Sequence, residues 1–345
     1  SNPNPGTFDK VPVTGAYNPT TGPTEATLVK IIDAEIVKPP NLNMYYTQQF
    51  VFPEGFRSAT TTERLDIVNL DLGNTNLYQV IVRYESGQRD AVIFSGTLAA
   101  GARTSLKVND KTIPSLNLVR SNVGYTFEVR STRALGVSLN HQDNGVTLGE
   151  QFLILPRIIT PQLKAWNLPG DEKSSLTKNY VIIESLTDAK IVVNMLIFPN
   201  GGGAPIFRGM PLEAFRRGGW IIEQIPGVPD GAFSVQISAT GEVVASLSHY
   251  KTGGGGNASD GSSALGLIGG GRGEGYLAAA QIPTGGESHL DVEFTVGTPS
   301  AITINFDFTL SNGTVLTAAP VVLTSANRRV SLDLAAMNAG LPTGQ

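Results

Sequence analysis

Three hairpins of one design recur along the chain, and this internal repeat restricts the fold more than any other sequence feature. The hairpins turn at Ser86-Gly87, Asn200-Gly201 and Asn312-Gly313. Each turn is followed by a leucine and, five positions later, by an arginine; the three pairs are Leu98 with Arg103, Leu212 with Arg217, and Leu323 with Arg328. Successive arginines are about 110 residues apart, and this spacing predicts three copies of one structural unit.

Apolar and polar side chains alternate between these landmarks, which is the pattern of half-buried β-strands. From Ile302 to Leu310 every second residue is apolar, and the residues between them are polar. Charged residues make up only 16% of the chain, which contains 39 Gly and 21 Pro. This composition favours short strands joined by turns over long helices. We therefore expect an all-β fold of tandem antiparallel β-sandwiches.

Matching segments indicate where each copy begins and ends. Gln49–Pro53 resembles Gln151–Pro156, and the first two copies both finish with a Ser-Leu-x-His sequence. The predicted division is an extended N-terminal arm with a candidate donor strand at 1–44, β-sandwich repeat 1 at 45–146, repeat 2 at 147–252, a Gly-rich linker or loop at 253–275, and an incomplete repeat 3 at 276–345.

The Asn-Gly or Ser-Gly hairpin, the Leu-x4-Arg turn and the alternating strand after it resemble the tandem immunoglobulin-like β-sandwich repeats of secreted bacterial surface and fibre proteins. The resemblance covers roughly residues 45–345, and it departs from antibody domains because the chain has no Cys. It implies an extracellular or cell-surface location and a role as a spacer, adhesive or fibre module. It implies no catalytic residues.

The third copy lacks the closing hairpin that the first two copies have at Tyr125–His141 and Phe233–His249. After Arg328 only one further strand, Val330–Leu334, is predicted. A sandwich without this hairpin exposes apolar residues and an open strand edge, so we expect it to accept a strand from elsewhere. The predicted acceptor residues are Phe306, Phe308, Val330, Leu332 and Leu334.

The N-terminal arm supplies a candidate strand at Thr27–Val37, where Ile32, Ala34 and Ile36 alternate with acidic residues. Donation of this strand to the third copy of another molecule would build an open head-to-tail homopolymer. The predicted donor residues are Ile31, Ile32, Ala34, Ile36 and Val37. The alternatives are a chain cut from a longer protein, a degenerate capping repeat, return of the arm within one molecule, and a simple first strand of repeat 1.

The remaining features exclude several classes of function. The net charge of −4 and pI near 5.5 provide no basic surface for nucleic acid or an anionic membrane. No apolar run is long enough for a membrane span. The Gly269–Gly275 run has no preceding strand and following helix, so it does not predict a phosphate loop.

The few residues that could carry chemistry have structural explanations. The repeat accounts for His141 and His249, and Asp71 lies in a turn rather than a calcium loop. Trp220 is predicted to be core, whereas Trp166 is predicted to face solvent. We therefore expect a non-enzymatic structural protein without metal or cofactor. The alternatives are a carbohydrate-binding or adhesive module that binds a surface glycan through Trp166, and an accessory part of a secreted enzyme.

Overall fold

The computed structural model describes residues 48–85, 90–110, 113–143, 146–150, 153–156, 163–252, 258–268, 289–293, 301–310 and 312–334. Apart from two short 3₁₀ turns, at Pro114–Leu118 and Ile222–Gln224, the regular structure in these ranges is almost entirely β-strand. The strands pair antiparallel with one another. The predicted all-β class of antiparallel sandwiches is confirmed.

The first unit consists of two sheets with the strand orders β4-β3-β6-β1-β9 and β5-β2-β7-β8. Its strands are β1 (Gln48–Phe52), β2 (Thr61–Asn69), β3 (Asn76–Tyr84), β4 (Ala91–Leu98), β5 (Arg103–Lys107), β6 (Tyr125–Ser131), β7 (Leu135–Asp143), β8 (Val146–Glu150) and β9 (Leu153–Pro156).

The second unit has sheets with the orders β14-β13-β16-β10-β19 and β15-β12-β17-β18, and β11 also pairs with β16. Its strands are β10 (Ala165–Leu168), β11 (Glu172–Lys173), β12 (Thr177–Ser185), β13 (Ile191–Pro199), β14 (Ile206–Leu212), β15 (Arg217–Ile221), β16 (Gly231–Ala239), β17 (Val243–Thr252), β18 (Ala258–Leu265) and β19 (Leu267–Ile268).

The strands of the two units correspond one to one in both sheets, apart from β11. The Leu-x4-Arg sequence is the corner that crosses from one sheet to the other. Leu98 is the last residue of β4 and Arg103 the first of β5, and Leu212 and Arg217 have the same places in β14 and β15. Both leucines are buried, so each anchors the corner in its own core.

Two segments pair differently from the predicted division of the chain. Residues 146–150 and 153–156, all but the first of which belong to the predicted repeat 2, form β8 and β9, which pair with β7 and β1 of the first unit. Residues 258–268, predicted as part of a linker, form β18 and β19 in the sheets of the second unit. Strand addition uses backbone hydrogen bonds, so the small side chains of the latter segment do not prevent it. We call 146–156 and 258–268 the bridging segments, because each leads into the next unit.

Each of the first two units has its own apolar core. Alternation within β1 divides its side chains between the two: Phe50 and Phe52 lie in the first core, and Val51 packs in the second. The first two units therefore share a packed boundary.

In the described part of the third unit there are three strand pairs: β20 with β25, β21 with β24, and β22 with β23. The pair of β20 with β25 corresponds to the pair of β2 with β5 in the first unit. The other two pairs together correspond to the single long pair of β3 with β4. The strands are β20 (His289–Glu293), β21 (Ala301–Ile304), β22 (Asp307–Thr309), β23 (Val315–Thr317), β24 (Val321–Thr324) and β25 (Arg329–Asp333).

The Asn-Gly turns place a left-handed backbone on their glycines. Gly201, Gly202 and Gly313 have φ values of 97°, 86° and 83°. The strain of a left-handed backbone thus falls on glycine, which has no Cβ to clash.

Candidate functional site

The boundary between the first two units contains a network of buried charges around Arg83 in β3. Its guanidinium forms ion pairs with Glu128 at 2.5 Å and with Asp90 at 2.9 Å. Arg130 also contacts Glu128, and Arg216 of the second unit contacts Asp90. Burial disfavours ionisation of Glu128, but Arg130 and Arg83 outweigh it and lower its pKa to about 2.

Glu184 in β12 extends this network from the second unit. It is 1% exposed, and its carboxylate accepts a hydrogen bond from the Thr126 hydroxyl of β6 at 3.0 Å. Its other oxygen has no hydrogen-bond partner among the described residues. Burial raises the pKa of Glu184 to about 8, although Arg83 and the Thr126 hydroxyl favour the ionised form. Glu184 is therefore largely a neutral acid at pH 7.

The corner before β15 completes the contact with the first unit. The Arg217 guanidinium donates to the Glu85 carboxylate and to the Pro53 carbonyl, each at 3.0 Å. The Arg83 guanidinium lies over the Phe215 ring, with its Cζ atom 4.9 Å from the ring centroid. Such a stacked cation contributes about 0.5–2 kcal/mol, more when it is buried.

The boundary between the second and third units also contains a cation–π contact, but here the arginine belongs to the following unit and the ring to the preceding one. Arg328, just before β25, lies over the Phe198 ring at 4.0 Å, and Phe198 occupies the place in β13 that Arg83 has in β3. The Gly201 amide donates to the Ala326 carbonyl at 3.0 Å, and the Asn200 side chain donates to the Arg329 carbonyl at 3.1 Å.

Glu293 at this second boundary corresponds to Glu184 at the first. Glu184 is paired with Arg217 in its sheet, and Glu293 is paired with Arg329, one residue beyond the landmark arginine Arg328. Both carboxylate oxygens of Glu293 are buried without a hydrogen-bond partner among the described residues. Burial raises the pKa of Glu293 to about 8, against the effect of Ser234, Arg328 and Arg329. Ser234 has the same place in β16 that Thr126 has in β6.

We call each of these boundaries a unit junction. On one side of a junction lie the Leu-x4-Arg corner of a unit and the glutamate paired with it. On the other side lies the end of the preceding unit, formed by β3 and β6 in the first unit and by β13 and β16 in the second. Two such junctions lie in the described residues. The recurring arginine was a signal for them in the sequence, but the paired glutamates were missed, because nothing local shows that they are buried.

A chain of hydrogen bonds also crosses the first junction. His141 Nδ1 lies 2.8 Å from the Glu63 carboxylate, which also accepts from the Tyr125 hydroxyl. Tyr250 of the second unit donates to Glu54 at 3.0 Å, and its hydroxyl lies 3.4 Å from His141 Nε2. In the second unit, His249 at the position of His141 contacts Asn179 at 2.9 Å. Each histidine therefore contacts a side chain on the strand paired with its own, β2 for His141 and β12 for His249. The two equivalent contacts agree with the structural explanation that the repeat gives for these histidines.

A cleft of about 980 Å³ opens beside this chain of hydrogen bonds. Its walls include the aromatic side chains of Phe56, Tyr180, Trp220 and Tyr250 together with Arg208. Aromatic faces beside charged and hydrogen-bonding groups can bind a polar ligand that also has apolar faces.

The structure overturns the prediction for one of the two tryptophans. Trp166 is completely buried, and its indole N–H donates to the carbonyls of Leu163 and Val243 at 3.2 and 2.9 Å. Trp220 is half-buried, packs against the second core as predicted, and also lines the cleft. The prediction that Trp166 faces solvent is wrong, because β10 lies inside its sheet between β16 and β19.

The predicted acceptor residues lie in the third unit. Phe306 and Phe308 are half-buried at β22, Val330 and Leu332 are half-buried in β25, and Leu334 is buried. Phe308 lies in the sheet of β22 and β23, Val330 and Leu332 lie in the sheet of β20 and β25, and Phe306 directly precedes β22. The predicted donor residues Ile31, Ile32, Ala34, Ile36 and Val37 lie outside the described residues.

Two other kinds of site are absent from the described ranges. No group of three or more His, Cys, Asp or Glu side chains there could hold a metal ion. No helix in the same ranges is long and apolar enough to cross a membrane.

Comparison with known proteins adds little to this description. No protein-family model and no curated protein matches the chain. A crystal structure of Thermotoga maritima 1070 aligns with 31% of this chain and 96% of its own, at 11% identity and a TM-score of 0.27. A TM-score this low supports no conclusion about fold or function.

Proposed function

We propose that the chain is a non-enzymatic structural protein of the cell surface that assembles head-to-tail. In this assembly, Thr27–Val37 of one molecule adds as a strand to the third unit of the next. The resemblance of the repeats to bacterial surface and fibre proteins is the basis for the extracellular location.

The observation that carries the proposal is the pairing of the two bridging segments. Residues 146–156 lead into the second unit but supply β8 and β9 to the two sheets of the first. Residues 258–268 lead into the third unit but supply β18 and β19 to the sheets of the second. Each of the first two units is thus completed by the segment of chain that leads into the next unit.

The N-terminal arm has the same relation to the first unit. Val146 at the start of β8 lies about 20 residues before β10, and Thr27 lies about 20 residues before β1, the counterpart of β10. An arm that follows the same pattern would complete a unit that precedes the first one. In a head-to-tail assembly, that unit is the third unit of a neighbouring molecule.

Burial in the third unit favours it as the acceptor. Val193, Met195 and Ile197 on the inner face of β13 are completely buried. Ile304 and Phe308, at corresponding places in the third unit, are only half-buried. Covering a large apolar side chain contributes about 1.5–3 kcal/mol, so an added strand would stabilise this unit by several kcal/mol.

The test compares the full chain with a variant lacking residues 1–40, by sedimentation velocity and negative-stain electron microscopy. We expect filaments or larger oligomers from the full chain and monomers from the deletion variant. Filaments of the deletion variant, or a full chain that stays monomeric, would contradict strand donation.

Point variants separate the two faces of the donor strand. Ile32→Asp and Ile36→Asp place charges on the face predicted to enter the acceptor, and we expect either to prevent assembly. Asp33→Asn, on the opposite face, is the matched control and should assemble like the unmodified chain. Equal assembly of all three variants would exclude this register.

The cleft at the first junction favours a second candidate function, binding of a surface glycan. Tyr180 and Trp220 lie on adjacent strands of one sheet and both line the cleft, where flat rings can stack on sugar rings. Screening of the full chain against immobilised glycans tests this function. Loss of binding in Trp220→Ala but not in Phe207→Ala, an exposed residue outside the cleft lining, would support it; no binding to any glycan would exclude it.

A further inference from the structure

We propose that the corner before β5 of the first unit is a docking surface for the third unit of a second copy of the chain. This inference rests on the proposed head-to-tail assembly and supplies a contact separate from the donated strand. The contact between molecules would then be one more unit junction, in addition to the two within the chain.

The corners before β5 and β15 have the same backbone structure. The Gly101 amide donates to the Asp71 carbonyl at 3.2 Å, and the Phe215 amide donates to the Thr187 carbonyl at 3.0 Å. Gly101 and Phe215 both have left-handed backbones, with φ values of 64° and 51°. Gly101 is therefore the counterpart of Phe215, the residue that docks on Arg83 of the preceding unit.

The corner of the first unit carries exposed apolar surface at the corresponding place. Leu72 is 83% exposed, and its Cδ2 lies 3.3 Å from the point that a Cβ on Gly101 would occupy. Its side chain thus takes the place beside the corner that Phe215 fills in the second unit. Large apolar side chains with such exposure mark interaction sites when they cluster.

Leu70 adds to the same patch. Its amide donates to the Ala134 carbonyl, as the Leu186 amide donates to the Glu242 carbonyl in the second unit. Leu186 packs against the second core, whereas Leu70 is 53% exposed. Arg103 beside the patch is exposed, whereas its counterpart Arg217 is bound to the first unit.

The hairpin end of the third unit is the matching surface. In both described junctions a corner docks on the hairpin end of the preceding unit, and the ends of the first two units are occupied in this way. The end of the third unit, at Asn312–Gly313, is exposed and is followed by Val315, which is 57% exposed. A donated arm inserted into this third unit would also bring the first unit of the donor molecule beside it.

The test is sedimentation velocity of full-chain variants over a range of concentrations. We expect Leu72→Asp to weaken self-association at least about ten-fold, because it places a charge in the centre of the contact. Phe207→Asp, which replaces a side chain of 58% exposure on the second unit, is the control and should associate normally. Thermal melts of both variants should match the unmodified chain, because neither side chain is in a core.

The outcomes separate this inference from strand donation. Normal association of Leu72→Asp would overturn the docking surface and leave strand donation standing. Normal association of the variant lacking residues 1–40, with loss in Leu72→Asp, would overturn strand donation and support docking. A full chain that remains monomeric at every concentration would overturn both.

Discussion

The carboxyl groups of Glu184 and Glu293 are buried in two successive units, and each residue is paired in its sheet with the arginine that begins the adjacent strand. Each faces a hydroxyl residue of the preceding unit, Thr126 for Glu184 and Ser234 for Glu293. The two junctions therefore share an acid that holds its proton at neutral pH, although the other contacts at the junctions differ.

The stability of the protein should fall as the pH rises from about 5 to about 8. In the unfolded chain a glutamate ionises near its ordinary pKa of 4.5, whereas burial raises the pKa of Glu184 to about 8. Between these values the native state binds more protons than the unfolded state, so rising pH favours unfolding. Arg83 and Glu128 beside Glu184 keep their charges through this range, because their contacts raise the pKa of Arg83 and lower the pKa of Glu128 to about 2.

Glu184→Gln should reduce this pH dependence and stabilise the protein above pH 8, because glutamine is neutral throughout. The measurement is the free energy of unfolding in urea at pH 5, 7 and 9. Glu213→Gln, which replaces a carboxylate with 51% exposure on the same unit, should leave the slope unchanged. A slope in Glu184→Gln equal to that of the unmodified chain would contradict the assignment.

Thr126→Val should destabilise the first junction by about 1–3 kcal/mol, because it leaves the buried Glu184 carboxyl without its hydrogen bond. Thr126→Ser retains the hydroxyl and should cost much less. Chemical denaturation measures both. If serine and valine destabilise equally, the loss reflects packing of the methyl group rather than the hydrogen bond.

Arg83→Met should be more damaging, by about 3–5 kcal/mol, because it leaves Glu128 and Asp90 buried with less compensating charge. The exposed ion pair of Arg64 with Asp66 supplies the comparison, and Arg64→Met should change stability by no more than about 0.5 kcal/mol. Similar losses in the two variants would show that burial does not strengthen the Arg83 contacts.

Trp166→Phe should destabilise the second unit by about 1–3 kcal/mol, since two buried carbonyls lose their indole donor. Trp220→Phe should cost less than about 1 kcal/mol, because Trp220 is half-buried and keeps an aromatic ring. Thermal and urea unfolding of the two variants would decide this, and the reverse order of stability would restore the original prediction for these residues.

The period-two alternation, the turn glycines and the Leu-x4-Arg landmarks were sufficient to predict the all-β class. Each of these signals is local: a strand with one apolar face must bury that face, and a corner leucine must find a core. The same alternation persists from Ala301 to Leu310, where even-numbered residues are half-buried and odd-numbered residues are exposed.

Only the tertiary structure decided which sheet a strand joins and which side chains the units bury between them. Residues 258–268 have a composition typical of a linker, yet they form strands because open sheet edges of the second unit accept their backbone. The places of Trp166 and Glu184 likewise depend on neighbours far away in the chain. Amino-acid order sets which face of a strand is apolar, whereas burial of a charge or a ring depends on what packs against that face.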